Sequence, residues 1–110
     1  MVLMVDGRCL HTTGQGFLCS LDDWNEGVAE LLAQRQGIEL TEAHWEIIVY
    51  MRNYYLKYRH LPNSRMFVKA VRKTLGAEKG NSRYLHGLFP EGPLKFACMI
   101  AGLPKPPTCL

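Results

Sequence analysis

Helix breakers recur along this chain at Gly37, Pro62, Gly76, Pro90, Gly92 and Gly102, and no helix can run through them undisturbed. The chain is therefore obliged to fold as a series of short helices. Its last ten residues, AGLPKPPTCL, hold three prolines, a lysine and a cysteine one position from the end. That segment excludes a helix or a central strand, and LPKPP is preset toward extended polyproline geometry.

The N-terminal part follows a different period. Residues 2–5 and 8–11 are short runs rich in Val, Leu and Met, and Asp6-Gly7 between them is a two-residue hairpin signal. A third strand through Gly16-Phe17-Leu18-Cys19 would complete a small antiparallel meander over 1–19, too small to stand without helices packed on it. Ser20 or Asp22 can cap a helix over 22–36 with Trp24, Val28, Leu31 and Leu32 on one face. Thr41 caps the longest helix, 42–59, whose inner stripe reads Trp45, Ile48, Val49, Arg52, Tyr55 and Leu56. Ser64 opens a third, 64–75, with Phe67, Ala70 and Val71 inward and Arg65, Lys69, Arg72 and Lys73 outward. EKGNS is a turn, Asn81 or Ser82 caps a short helix (RYLHGLF), and Pro93 starts the last, PLKFACMIA. The fold class is α+β: a β meander (1–19) on an array of about five helices (20–101), then a mobile Pro-rich arm (102–110), all in one domain spanning 1–110.

Charge divides the chain. Residues 1–50 carry two basic and eight acidic groups, and residues 51–110 carry eleven basic groups and two acidic ones, Glu78 and Glu91. The net +3 is low for a nucleic-acid-binding protein, so direct nucleic-acid contact is not expected. No apolar run is long enough to span a bilayer, and MVLMV lacks the length and basic lead of a signal peptide, so a cytoplasmic protein with no membrane partner is expected. The four cysteines (Cys9, Cys19, Cys98, Cys109) show no CxxC spacing and the four histidines no metal-site spacing, so neither a metal nor another cofactor is expected.

The chemistry of the tail centres on Cys109. A thiolate on an extended arm can attack a donor persulfide, take its outer sulfur and deliver it into another protein. Lys105, with any of Lys79, Arg83 and Lys95 that the fold brings near, would favour the thiolate. Cys98, eleven residues earlier in the last helix, is either a packed small hydrophobe or a resolving thiol, since the intervening chain could extend well over ~30 Å or fold back. Cys9 and Cys19 read as structural.

Long motifs carry a resemblance. KGNSRYLHGLFPEGPLKFACMIAGLPKPPTCL, DWNEGVAELLA, GIELTEAHWEIIVYMRNYY, SRMFVKAVRKTLG and the N-terminal VDGR…TTGQGFL together resemble the TusE/DsrC family of sulfur-carrier proteins over essentially the whole chain. The resemblance implies the same α+β fold with a helix-turn-helix-like part. It also implies a persulfide carried on Cys109, making the protein a sulfurtransferase component rather than a stand-alone enzyme. It divides by partner. TusE-type members resemble relays that take sulfur from a TusBCD-like complex and pass it to a tRNA thiouridylase for wobble-uridine 2-thiolation. DsrC-type members serve dissimilatory sulfite reductase and carry a second cysteine at the position of Cys98. PPTC in place of PTGC and the KGNSRYL segment lean toward the first; Cys98 favours the second. Arg65, Lys69, Lys79, Arg83 and Lys95 match basic positions of the pattern and read as a docking and thiolate-stabilising surface. Two other classes compete: a helix-turn-helix nucleic-acid module over 42–75, weakened by the absence of Asn or Gln on 64–75, and a non-catalytic docking subunit.

Overall fold

The computed structural model describes residues 2–5 and 7–106. Strand β1 (Val2–Val5) pairs antiparallel with β2 (Arg8–His11), placing Val2 opposite His11 and Val5 opposite Arg8. Gly7, at φ +78°, takes the left-handed position that an Asp-Gly turn calls for. Asp6 lies outside the described residues. The expected third strand shrinks to a single bridge between Thr12 and Leu18. Residues 13–17 close on themselves through Thr13 N–H to Phe17 O, 2.7 Å, leaving no run long enough to pair. The hairpin turns Leu10 into the core while Cys9 faces out, as strand alternation requires, and Cys19 is exposed beyond the bridge.

Five α-helices follow: α1 (Glu26–Arg35), α2 (Glu42–Tyr58), α3 (Ser64–Leu75), α4 (Ser82–Leu88) and α5 (Pro93–Ile100). The first is shorter than the sequence suggests. A 3-10 turn over Leu21–Asp23 precedes it, and Asn25, not Ser20 or Asp22, caps it by accepting the Val28 N–H at 2.9 Å. Asparagine does the same elsewhere: Asn63 caps α3 through Met66 N–H, and Asn81 caps α4 through Tyr84 N–H, both at 2.8 Å. At the start of α2, His44 replaces the acid of an ordinary capping box. Its Nδ1 accepts the Thr41 N–H at 3.1 Å, so its Nε2–H is the donor to Leu88 O at 2.8 Å. One neutral tautomer thus ties the start of α2 to the end of α4.

The buried face of α2 is His44, Ile47, Ile48 and Met51, while Val49 and Leu56 from the expected stripe are each 50% exposed. Apolar residues surround the first half of this helix, so period alone does not choose between adjacent faces. The choice is made by α5, which packs against α1, α2 and α4 and buries Leu94 and every residue from Phe96 to Ile100. This most apolar helix is the centre of the core. Two prolines and two glycines bound its reach, and Gly80 permits one further close approach. A Cβ there would strike the backbone of Arg72, so only glycine lets the α3–α4 turn lie against α3. No helix among the described residues is long and apolar enough to cross a membrane.

Candidate functional site

The C-terminal end of α5, where the tail departs, is closed with unusual completeness. Gly102 adopts φ +71°, its N–H reaches Met99 O at 3.1 Å, and Leu103 N–H reaches Cys98 O at 2.9 Å. These are the two bonds of a Schellman stop. The next carbonyls are taken by side chains from distant elements. Trp24 Nε1–H donates to Ile100 O at 2.8 Å, and Arg52 donates to Ala101 O at 2.6 Å. The Arg52 guanidinium lies 4.1 Å from the centre of the Trp24 ring. Burial lowers the Arg52 pKa from its ordinary value, and arginine nevertheless stays charged at neutral pH. A cation at the negative end of a helix dipole is favourably placed. Gly102 also cannot be substituted freely, because a Cβ there would sit 2.5 Å from Trp24 Cδ1.

The segment 102–106 consequently begins as core. Leu103 is 1% exposed, Pro104 and Lys105 face solvent, and Pro106 is buried again. Cys109, the carrier thiol expected from the sequence, lies outside the described residues. Cys98 is fully buried in the last turn of α5. Exchange at its sulfur requires a partner sulfur to come into contact with it, and in this conformation it is enclosed.

The opposite end of α5 faces a groove of about 640 Å³ between α3 and α4, lined by Arg65, Lys69, Arg72, His86 and Lys95 above an apolar floor that includes Phe67 and Leu85. Glu91 is the one acid on its rim. The structure brings three of the predicted cations together here: Arg65, Lys69 and Lys95. It separates the others. Lys79 donates to Glu46 at 2.6 Å, which raises its pKa and holds it in an ion pair. Arg83 is exposed on α4 and Lys105 on the tail. An eight-residue helix is about 12 Å long, and that length stands between the groove and the point where the tail leaves. Trp24 and Arg52 went unnoticed as a pair in the sequence. The available signal was a charged residue inside an apolar helical stripe, which needs a buried partner wherever it occurs.

Sequence and structure comparisons converge. The family model described as DsrC like protein matches residues 4–110. The chain is 53% identical over 105 residues to Sulfurtransferase TusE of Sodalis glossinidius, covering 96% of this chain and 97% of that one. The fold superposes on the NMR structure of Allochromatium vinosum DsrC with a TM-score of 0.90 at 49% identity, covering all of both chains. It superposes on the oxidized gamma-subunit of dissimilatory sulfite reductase (DsrC) from Archaeoglobus fulgidus with a TM-score of 0.85 at 45% identity, again over both whole chains.

Proposed function

This chain belongs to the DsrC-like protein family, and we propose that it is a sulfur-relay protein carrying persulfide sulfur on Cys109. The observation that carries this reading is the extent of the likeness: it runs through residue 110 and so includes the cysteine-bearing tail, and the relatives are named sulfurtransferases. In the forward step the Cys109 thiolate attacks the outer sulfur of a donor persulfide. A new S–S bond forms, the donor leaves as its thiolate, and the sulfur now rides on Cys109. Attack by an acceptor on that sulfur repeats the exchange and returns Cys109 as a thiolate. No metal or organic cofactor enters either step. The donor is a TusBCD-like complex, the acceptor a tRNA thiouridylase that thiolates a wobble uridine, and the compartment a reducing cytoplasm.

The clamp on α5 supplies a fixed origin for the tail, and the basic groove offers a docking surface for a partner. Arg65, Lys69 and Lys95 serve docking in this reading; thiolate stabilisation falls to Lys105, the cation nearest Cys109 in sequence.

A second reading is favoured by Cys98 and by the likeness to a sulfite reductase subunit. Here the Cys98 thiolate attacks the inner sulfur of the Cys109 persulfide, forming a Cys98–Cys109 disulfide and expelling hydrosulfide. Burial of Cys98 weighs toward the tRNA relay.

Intact-mass analysis after incubation with a cysteine desulfurase and cysteine, followed by peptide mapping, tests both. One added sulfur is expected on the C-terminal peptide, absent in Cys109→Ser and retained in Cys98→Ala. Loading of Cys109→Ser at the wild-type level would defeat the mechanism. A Cys98–Cys109 disulfide appearing as sulfur leaves would select the second reading.

A further inference from the structure

The C-terminal end of α2 carries an aromatic array that neither the core nor the clamp uses. The rings of Tyr54 and Tyr58 lie 4.7 Å apart, and His60 stands 6.2 Å from Tyr54 and 6.1 Å from Tyr58. Tyr58 is 49% exposed, His60 is exposed, and Tyr54 is half-buried beneath them. Lys57 lies over the Tyr58 ring at 5.2 Å.

Arg59, between Tyr58 and His60, is the second observation. It closes α2 at φ +59° and is the sole non-glycine with positive φ among the described residues; glycine fills the six other such positions. A side chain in the left-handed region costs about 1 kcal/mol or more. Glycine is the usual occupant of that position, so arginine stands here against local preference.

Charge supplies the third. From Ile47 to Ala77 there is no acidic residue, while seven lysines and arginines fall in the same interval (Arg52, Lys57, Arg59, Arg65, Lys69, Arg72, Lys73). The net +3 conceals this segregation, because the acids sit mostly in the first half of the chain. The expectation against direct nucleic-acid contact drew on that net value and on a duplex-reading role for α3, and it does not address a stacking surface on α2.

We infer that this end of α2 binds unpaired RNA, with bases stacking on Tyr58 and His60 and phosphates held by Lys57 and Arg59. Planar rings beside cations suit unstacked bases, whereas an acidic peptide would use the cations and leave the rings idle. A duplex keeps its bases stacked internally and offers them no ring face. RNA rather than DNA is chosen on the strength of the proposed place in wobble-uridine thiolation.

Fluorescence anisotropy of a fluorescein-labelled single-stranded oligouridylate with the full chain tests the inference. Tyr58→Ala and His60→Ala should each weaken binding about five-fold or more, and Tyr58→Phe should bind as the wild type does. Lys57→Gln with Arg59→Gln should flatten the salt dependence by roughly 0.7 per cation in the log–log slope. Arg59→Gly is the sharpest variant: it should melt at the same or a higher temperature, since glycine suits the position, yet bind more weakly. Equal affinity for Tyr58→Ala and wild type would overturn the inference. So would equal or tighter binding of the same strand annealed to its complement or of the oligodeoxyuridylate, or a Tyr58-dependent dimer in sedimentation. Persulfide loading is measured separately and is expected to be unchanged in these variants, so failure of the RNA surface and failure of the relay give different results.

Discussion

The two ends of α5 solve opposite problems. At the C-terminal end three side-chain and backbone devices take up four consecutive carbonyls, from Cys98 to Ala101: the Schellman bonds, the Trp24 indole and the Arg52 guanidinium. At the N-terminal end Pro93 and Gly92 line an open groove whose cations Arg65, Lys69 and Lys95 make no ion pair among the described residues. One end is pinned and the other is open. In a small protein with little core to spare, fixing the end from which the cysteine-bearing tail departs is a use of structure that recognition alone would not require.

Substitutions can break that contrast, and the largest effect should come from Gly102→Val. It places a Cβ against Trp24 at a left-handed position, and an equilibrium urea titration should show a loss of about 3 kcal/mol. Arg52→Leu comes next. It leaves Ala101 O without its charged donor and should cost about 2 kcal/mol. In a sulfur-transfer assay it should lower kcat with KM unchanged, because the tail is mispresented while docking survives. A raised KM with normal kcat would move Arg52 to the docking side of the comparison. Arg65→Glu combined with Lys69→Glu should show the reverse pattern: stability within about 0.5 kcal/mol of the wild type and a higher KM for the acceptor.

The smallest effect is electrostatic and appears only in alkali. The Lys79–Glu46 pair raises the Lys79 pKa, and burial raises that of Tyr50. Both groups are more readily protonated in the folded state, so their contribution is complete below their ordinary values of about 10 and is lost as pH rises through the folded ones. Melting temperature should therefore decline above about pH 10, and Lys79→Met should soften the decline slightly. A decline of the same size in Lys79→Met would place the effect on Tyr50.

Helix order was legible from the breakers alone, because Gly76, Pro93 and Gly102 act locally and depend little on tertiary context. Helix faces were not. The stripe on α2 was misplaced onto Val49 and Leu56 since α2 is apolar on several sides, and the packing of α5 selects Ile47 and Met51. Caps were displaced by a residue or more where asparagine competed with serine, as at Asn63 beside Ser64. The basic groove could be named in part, because Arg65, Lys69 and Arg72 recur at helical spacing on α3, but His86 joins it only through the turn at Gly80. The Trp24–Arg52 clamp spans 76 residues between indole and carbonyl, and no local pattern encodes a bond of that length in sequence.

The seating of Leu103 in the core also sets a tether length. Reckoned from Cys98, the tail can extend well over ~30 Å; reckoned from Leu103, six residues remain to Cys109, and the thiol can lie at most about 20 Å away. In the proposed relay, chain length alone keeps a sulfur on Cys109 within that radius of Leu103, which corresponds to an effective concentration of millimolar order or above at a docked partner. In that relay a partner whose reacting atom lies deeper than that radius would be excluded however well it docks, so the seat of Leu103 would select acceptors by the depth of their active sites as well as by the chemistry of their surfaces.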